Sequence, residues 1–239
     1  MIKTAKEQFL QKHNYQSLNI KAALFDMDGV LFNSMPLHAK AWVEALRKLG
    51  INFSEYEVYL NEGRTGFSTI DEQFLKQFGR HSTEQEQREI YAQKSAIFKS
   101  MPKPAPITGT LDIVKYLANN KIARLVVTGS GEETTLNRVA EHYPNLFDRK
   151  QMVTAHDVKL GKPHPEPYLM GLSKAQVAAN EAIVIENAPL GIRAGVAAGI
   201  FTIGINTGIL KREDLINAGA DLVFDNMHEF LLSIEEIIH

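Results

Sequence analysis

Residues 24–34 read LFDMDGVLFNS, an apolar run ending in two aspartates two apart, Asp26 and Asp28, then a glycine, more apolar residues and a serine. Carboxylates held that close repel one another, so the pair calls for a metal ion or a shared proton between them, or else it is a solvated turn. DMDG alone is described as well by an Asp–Gly turn after a strand as by a catalytic pair, and its glycine comes too early for an EF-hand loop. The same kind of residue recurs, however, after other apolar runs. Thr128, Gly129 and Ser130 follow RLVV, Lys162 lies in GKPHPEP beyond MVT, and Glu186 and Asn187 close AIVI. These are the groups that transfer of a phosphoryl group from oxygen to a carboxylate requires. Oxygen ligands from Asp26, Asp28 and Glu186 suit Mg²⁺, a hard cation that also keeps waters and a phosphate oxygen. Thr128, backbone N–H groups near Gly129, and Lys162 can hold the charge of the transferring group. Asp26 is placed to attack phosphorus, and Asp28 to protonate the leaving oxygen and later deprotonate water.

The elements that must position these residues follow from the apolar pattern. AALF (22–25), ARLVV (123–127), AIVIE (182–186), IFTIGI (200–205) and DLVF (221–224) are short continuous runs, the mark of strands buried on both faces, and QMVT (151–154) reads as a weaker member. Helical patterns separate them, among them ETTLNRVAEHY, which starts near Glu132. Strand and helix in alternation predict an α/β fold with a parallel sheet covered on both sides. In such sheets ligands bind beyond the carboxyl ends of the strands, where all the residues above would converge. Residues 36–103 break the rhythm with helical patterns and no convincing strand. Ser54–Glu57 and Thr83–Glu86 have capping-box spacing, Gly50 suits a helix end, and three prolines in MPKPAPITG make a stiff return linker. The expected organisation is a core of residues 1–34 and 104–239, opening with an amphipathic helix around Ile2, Ala5, Phe9 and Leu10, and a helical cap domain of residues 35–103.

Composition narrows the function class. The chain has 239 residues, 44% of them hydrophobic and 23% charged, with a net charge of −2, so the basic excess of a nucleic-acid binder is missing. There is no cysteine, hence no disulfide, thiolate nucleophile or cysteine-ligated zinc. The N-terminus has no secretory h-region and no run reaches the ~18 apolar residues of a membrane span. These features lead us to expect a cytoplasmic monomer acting on a small molecule, without nucleic-acid or membrane partners.

DMDGVLFNS, VVTGS, GKPHPEPY and VIENAPLGIRAG resemble, in order, the four motifs of the haloacid dehalogenase superfamily, over nearly the whole chain and most closely in its β-phosphoglucomutase-like branch. The resemblance implies a Rossmann-like core with a mobile helical cap, Asp26 as nucleophile and Asp28 as general acid/base. It puts phosphate on Thr128 and Lys162, and Mg²⁺ on Asp26, the Asp28 carbonyl and the Glu186/Asn187 pair. The fourth motif usually carries two acids, so Asn187 removes one metal-site charge. The second aspartate sets the chain apart from the superfamily's dehalogenases, which lack it, and from its ion pumps, which have threonine there. In the cap, LHAKAW resembles a mutase stretch whose histidine lies near the hinge, which would bring His38 to the acid/base or the phosphate, and Lys94 falls where the family has a lysine facing the site. Gly66 occupies the place of a mutase arginine that grips the second phosphate, with Arg64 two residues away, and Glu62 replaces a lysine. EGRTG resembles members that hydrolyse inorganic pyrophosphate, where the cap glutamate would join the metal shell. The reading is a Mg²⁺-dependent phosphohydrolase acting through an aspartyl phosphate on a small phosphorylated substrate, with pyrophosphate as the leading candidate. Its alternatives are a β-phosphoglucomutase and a catalytically inactive binding module. Ser130 reads equally as helix cap and phosphate contact, Trp42 as core, and the remaining histidines lack metal-ligand spacing.

Overall fold

We describe a computed structural model over residues 1–131 and 133–239, leaving aside the side chains of residues 134 and 135. Five strands form one parallel sheet in the order β2-β1-β3-β4-β5: β1 Ala22–Phe25, β2 Ala123–Val126, β3 Ala182–Glu186, β4 Phe201–Ile205 and β5 Leu222–Phe224. β1, β3, β4 and β5 are buried throughout, which is why they read as unbroken apolar runs. QMVT does not form a sixth strand. Val153 makes a single parallel bridge to Val127, after which Thr154 turns away because its N–H and hydroxyl both donate to Asp157 Oδ2 at 2.8 Å.

One face of the sheet packs against α1 (Ile2–His13), α6 (Thr110–Asn119), α7 (Glu133–His142) and α11 (Met227–Ile238) through Phe9, Phe25, Ile113, Val139, Ile185 and Phe230. The other packs against α8 (Glu166–Ala175) and α9 (Pro189–Ala197) through Leu24, Tyr168, Leu172, Val184 and Ala194. The start expected near Glu132 for α7 lies outside the described residues. The chain runs from β1 to β2 on one side and then crosses from β2 to β3 on the other side of β1, so a crevice opens at the carboxyl ends of β1 and β3, the position that binds ligands in open α/β sheets.

Between β1 and α6 the described residues form α2 (Met35–Arg47), α3 (Glu55–Leu60), α4 (Gly66–Phe78) and α5 (Glu84–Lys99), with no strand. Both capping boxes form, Ser54 with Glu57 and Thr83 with Glu86, each satisfying two backbone N–H groups that a helix start leaves open. The insertion's apolar cluster, with Trp42, Phe53, Val58, Tyr59 and Ile70, continues into Ile192, Leu210 and Leu215 beside the sheet. Tyr56 donates a hydrogen bond across the same seam to Asp214, in the first turn of α10 (Arg212–Asn217). No described helix is long and apolar enough to cross a membrane.

Asp221 joins β4 to β5. Its N–H donates to Thr202 O at 2.8 Å and its Oδ2 accepts from Thr202 N at 2.7 Å. Burial pushes the carboxyl up to about 6, against the Thr202 N–H and Lys12, which pull it down. Between about pH 4 and 6 the unfolded chain ionises this carboxyl while the folded chain keeps it protonated, so stability falls across that window by on the order of 3 kcal/mol and stays lower above it. Asp221→Asn keeps an acceptor for Thr202 N, so it should raise the melting temperature at pH 7.5 and leave it unchanged at pH 4. Equal shifts at both pH values would exclude the buried charge as the cause.

Candidate active site

Asp26 still belongs to the sheet: its N–H donates to Ile185 O at 3.0 Å, which fixes the carboxylate at the crevice floor. The chain then turns tightly, Leu31 N and Phe32 N both donating to Met27 O. Gly29 closes this turn at φ +84°, where a Cβ would overlap the Asn187 amide, so both backbone and close approach demand glycine.

Lys162 lies between two carboxylates. It is 4% exposed, and its ammonium donates to Asp26 Oδ1, to Glu186 Oε1 at 2.8 Å and to Val127 O at 3.1 Å, so all three protons are used. Burial works against its charge, but Asp26 and Glu186 outweigh burial and hold the ammonium above the usual lysine range. Asp26 is pushed up to about 7 by burial, with Glu186 and Asp28 adding to the effect and Lys162 opposing it. Glu186, 1% exposed, accepts from Lys162 and Tyr168 OH (3.0 Å) on Oε1, and from the N–H groups of Asn187 (2.8 Å) and Ala188 (3.0 Å) on Oε2. Four protein donors therefore occupy the lone pairs that a metal would need.

Asp28 stands in a second chain of contacts. Its Oδ1 accepts from Ser34 Oγ at 2.5 Å and lies 3.4 Å from His38 Nε2. Ser34 is at the N-cap of α2, but its hydroxyl goes to Asp28 and makes no cap bond. The Lys94 ammonium lies 2.9 Å from His38 Nδ1; an ammonium only donates, so Nδ1 accepts and Nε2 carries the proton facing Asp28. Phe98 stacks on the imidazole at 4.2 Å, and Lys94 sits 5.3 Å from the Trp42 ring and 5.1 Å from Phe98. Burial alone would raise Asp28, yet His38, Ser34 and Lys94 hold it at about 2. His38 is lowered by burial and by Lys94, with Asp28 opposing and Arg138 adding to the drop.

From the insertion, Glu62 reaches Asn187: its Oε2 accepts from Asn187 Nδ2 at 3.0 Å. Glu62 Oε1 and Asn187 Oδ1 are buried with no hydrogen-bond partner. Burial, then Asp26, Glu186 and Asp28, push Glu62 well above the ordinary glutamate range. Two orphaned oxygens beside Asp26 and Asp28 are what a hard cation with oxygen ligands would satisfy. Among the described residues no three His, Cys, Asp or Glu side chains are gathered to hold a metal, so a cation here would have to draw on the Asn187 amide and on backbone or water oxygens. The donor chemistry fits Mg²⁺ on those terms.

A cavity of about 150 Å³ is lined by Asp26, Asp28, Thr128, Gly129, Ser130 and Glu186 from the sheet end, and by His38, Glu62, Arg64 and Lys94 from the insertion. Lys162 and Asn187 lie just behind that wall. Thr128 Oγ1 accepts from Ser130 N at 3.1 Å, closing the loop before α7. Arg64 is turned to Asn61 Oδ1 (3.1 Å) and Glu72 (3.0 Å). Ser34, Tyr168 and Arg138 are neighbours that sequence reasoning did not assign. Ser34 and Tyr168 end two of the motifs quoted above, which was a usable signal; Arg138 had none. Trp42, expected in the core, is buried and also lines the cavity.

The model of a family described as haloacid dehalogenase-like hydrolase matches residues 23–205. Among curated proteins, the chain is 32% identical over 193 residues to validoxylamine A 7′-phosphate phosphatase of Streptomyces hygroscopicus subsp. limoneus, covering 78% of this chain and 86% of that protein. It is 27% identical to hexitol phosphatase A of Escherichia coli (strain K12), covering 83% and 91%. Among solved structures, a β-phosphoglucomutase candidate from Bacteroides vulgatus superposes with a TM-score of 0.95 at 46% identity, covering 99% of this chain and 96% of that one.

Proposed function

The chain belongs to the haloacid dehalogenase-like hydrolase family, and on that premise we propose that it is a Mg²⁺-dependent phosphohydrolase working through an aspartyl phosphate on Asp26. The observation that carries this reading is the meeting of Asp26, tied to Lys162, with the partnerless oxygens of Glu62 and Asn187 at one cavity. When bound, Mg²⁺ supplies charge neutralisation between the carboxylates and the phosphoryl oxygens. Asp26, Asn187 and Glu62 side-chain oxygens and the Asp28 carbonyl would hold it. Glu186, saturated by protein donors, positions Lys162.

Lys162 holds Asp26 Oδ1, and Oδ2 attacks phosphorus; the bond from phosphorus to the leaving oxygen breaks as the new one forms. The Thr128 hydroxyl and the Gly129 N–H take oxygens of the transferring group, and the Lys162 ammonium behind them adds positive charge. Asp28 then receives the proton of the water that cleaves the aspartyl phosphate, and phosphate leaves. Pyrophosphate asks least of Asp28 as an acid, since inorganic phosphate departs as an anion where an alkoxide must be protonated. That favours pyrophosphate as substrate. The helical insertion of residues 35–103 acts as the cap that brings Glu62 to the site.

Similarity to the Bacteroides vulgatus structure favours a second reading, transfer between sugar hydroxyls through a bisphosphate. Against it, the Tyr91 ring fills the space a Cβ would need at Gly66, so that position offers no clamp for a second phosphate. Phosphate release from pyrophosphate, sugar phosphates and nucleotides, measured with wild type and Glu62→Ala side by side, tests both. Wild type should release phosphate, and Glu62→Ala should need about 10- to 100-fold more Mg²⁺ or lose that much kcat/KM. Silence on every compound would sink the hydrolase. An unaltered variant would leave Glu62 outside the metal site, and conversion of β-glucose 1-phosphate to glucose 6-phosphate would establish the mutase.

A further inference from the structure

Two cations near the reacting carboxylates already have acidic partners: Lys162 has Asp26 and Glu186, and Arg64 has Glu72. Arg138, on α7, lines the same cavity and has no carboxylate or carbonyl partner among the described residues. Its guanidinium carbon stands 5.6 Å from the centre of the Phe32 ring. A cation–π contact of this kind holds the group near the ring without using up its N–H donors, which stay available to a further acceptor. Phe32 belongs to the turn that carries Asp28, with which it makes a backbone bridge, so Arg138 is referenced to the turn that presents the carboxylates. A half-buried guanidinium with five donors and no hydrogen-bond acceptor among the described residues is a site for an acceptor from outside them.

Resting on the hydrolase reading above, we propose that Arg138 binds an oxyanion on the leaving part of the substrate and so selects phosphate compounds whose leaving group carries its own negative charge. Asp26, Asp28, Glu62 and Glu186 make the cavity repulsive to such a polyanion, and Lys162 is committed to two of those carboxylates. A second anion therefore needs a cation beyond the reacting centre. The planar fork of arginine matches a phosphate or carboxylate by two parallel hydrogen bonds, and in a cavity closed by the insertion these are worth more than in water. Lys94 and Lys99 line the cavity too, with the Lys94 ammonium 2.9 Å from His38 Nδ1; both add positive charge, but neither supplies a planar fork.

The test compares kcat/KM for pyrophosphate, 2-phosphoglycolate and p-nitrophenyl phosphate, in the same Mg²⁺ buffer, across wild type, Arg138→Gln and Arg138→Lys. Arg138→Gln should lower the ratio of pyrophosphate to p-nitrophenyl phosphate about 10- to 100-fold, the effect of losing hydrogen bonds to a charged group, and Arg138→Lys should restore part of it. A fall confined to 2-phosphoglycolate would assign Arg138 to a carboxylate and support the proposal in that form. An unchanged ratio, whether activity holds or falls on all three compounds, would overturn it. A second readout needs no turnover: affinity for imidodiphosphate, by calorimetry, should drop with Arg138→Gln more than affinity for inorganic phosphate. If wild type cleaves nothing but imidodiphosphate binding depends on Arg138, the hydrolase reading fails and this one stands. If wild type turns over and neither ratio nor relative binding moves, the reverse holds.

Discussion

Asp26→Asn should abolish phosphate release, with kcat lower by on the order of 10⁴-fold, and leave the fold in place. The amide keeps the shape of the side chain and an Oδ1 that can still accept from Lys162, and the backbone bond from residue 26 to Ile185 O is untouched. What it removes is the anionic oxygen that attacks phosphorus. Stability should change little, because the variant loses half of an ion pair and at the same time the burial that pushes the Asp26 carboxyl up to about 7. A melting temperature within about 4 °C of wild type corresponds to a change near 1 kcal/mol for a chain of this size. Acid quenching during turnover should trap phosphate on wild-type protein and none on the variant. Substantial activity in Asp26→Asn would remove the nucleophile from the mechanism, and a molten variant would be diagnosed by the melt before any kinetic conclusion is drawn.

The parts of this site that could be read from sequence are those set by local pattern. Asp26, Thr128 and Glu186 follow apolar runs, and parallel strands buried on both faces deliver whatever follows them to one edge. The capping boxes at Ser54 and Thr83 are equally local and form as their spacing predicts. What could not be read is contact between distant segments. The Glu62–Asn187 hydrogen bond spans 125 positions and depends on how the insertion docks, which is decided by side-chain packing such as Tyr59 and Val58 against Leu210 and Leu215. Arg138 sits in an ordinary amphipathic helix, and nothing in its neighbours' identities says that its side chain crosses to Phe32. QMVT misled for the opposite reason. Its composition is that of a strand, but Asp157 three residues beyond Thr154 captures the backbone N–H and ends the ladder after one bridge.

The same distinction separates two glycines. Gly29 reads as a turn glycine from DMDG, and it is one; that a Cβ there would also strike Asn187 belongs to tertiary structure. The turn is therefore pinned from both sides, since Thr207 Oγ1 donates to Gly29 O at 2.5 Å. Gly66 gives no local signal at all, and its lack of a side chain is explained only by the Tyr91 ring from α5. Substrate choice lies in such contacts, which is why the family's chemistry was legible and its specificity was not.

Lys162→Met should be the most destabilising of the substitutions considered, and the reason is electrostatic. The side chain is buried between Asp26 and Glu186, and its three protons are spent on those two carboxylates and on Val127 O. Methionine fills a similar volume but leaves two carboxylates without their counter-charge. Breaking a buried pair by removing one partner costs about 3–5 kcal/mol, which in a chain of this length lowers the melting temperature by roughly 10 °C. Activity should fall by on the order of 10²-fold or more, since the same ammonium faces the charge of the transferring group. The stability loss should itself depend on pH. With Lys162 gone, the folded state favours protonated carboxyl groups, so as pH falls from 8 toward 5 the variant takes up protons on folding and gains stability relative to wild type. The gap between the two melting curves should narrow on acidification. A gap that stays constant would mean that the loss comes from packing around Tyr168, whose ring lies 5.1 Å from the ammonium, and not from unpaired charge.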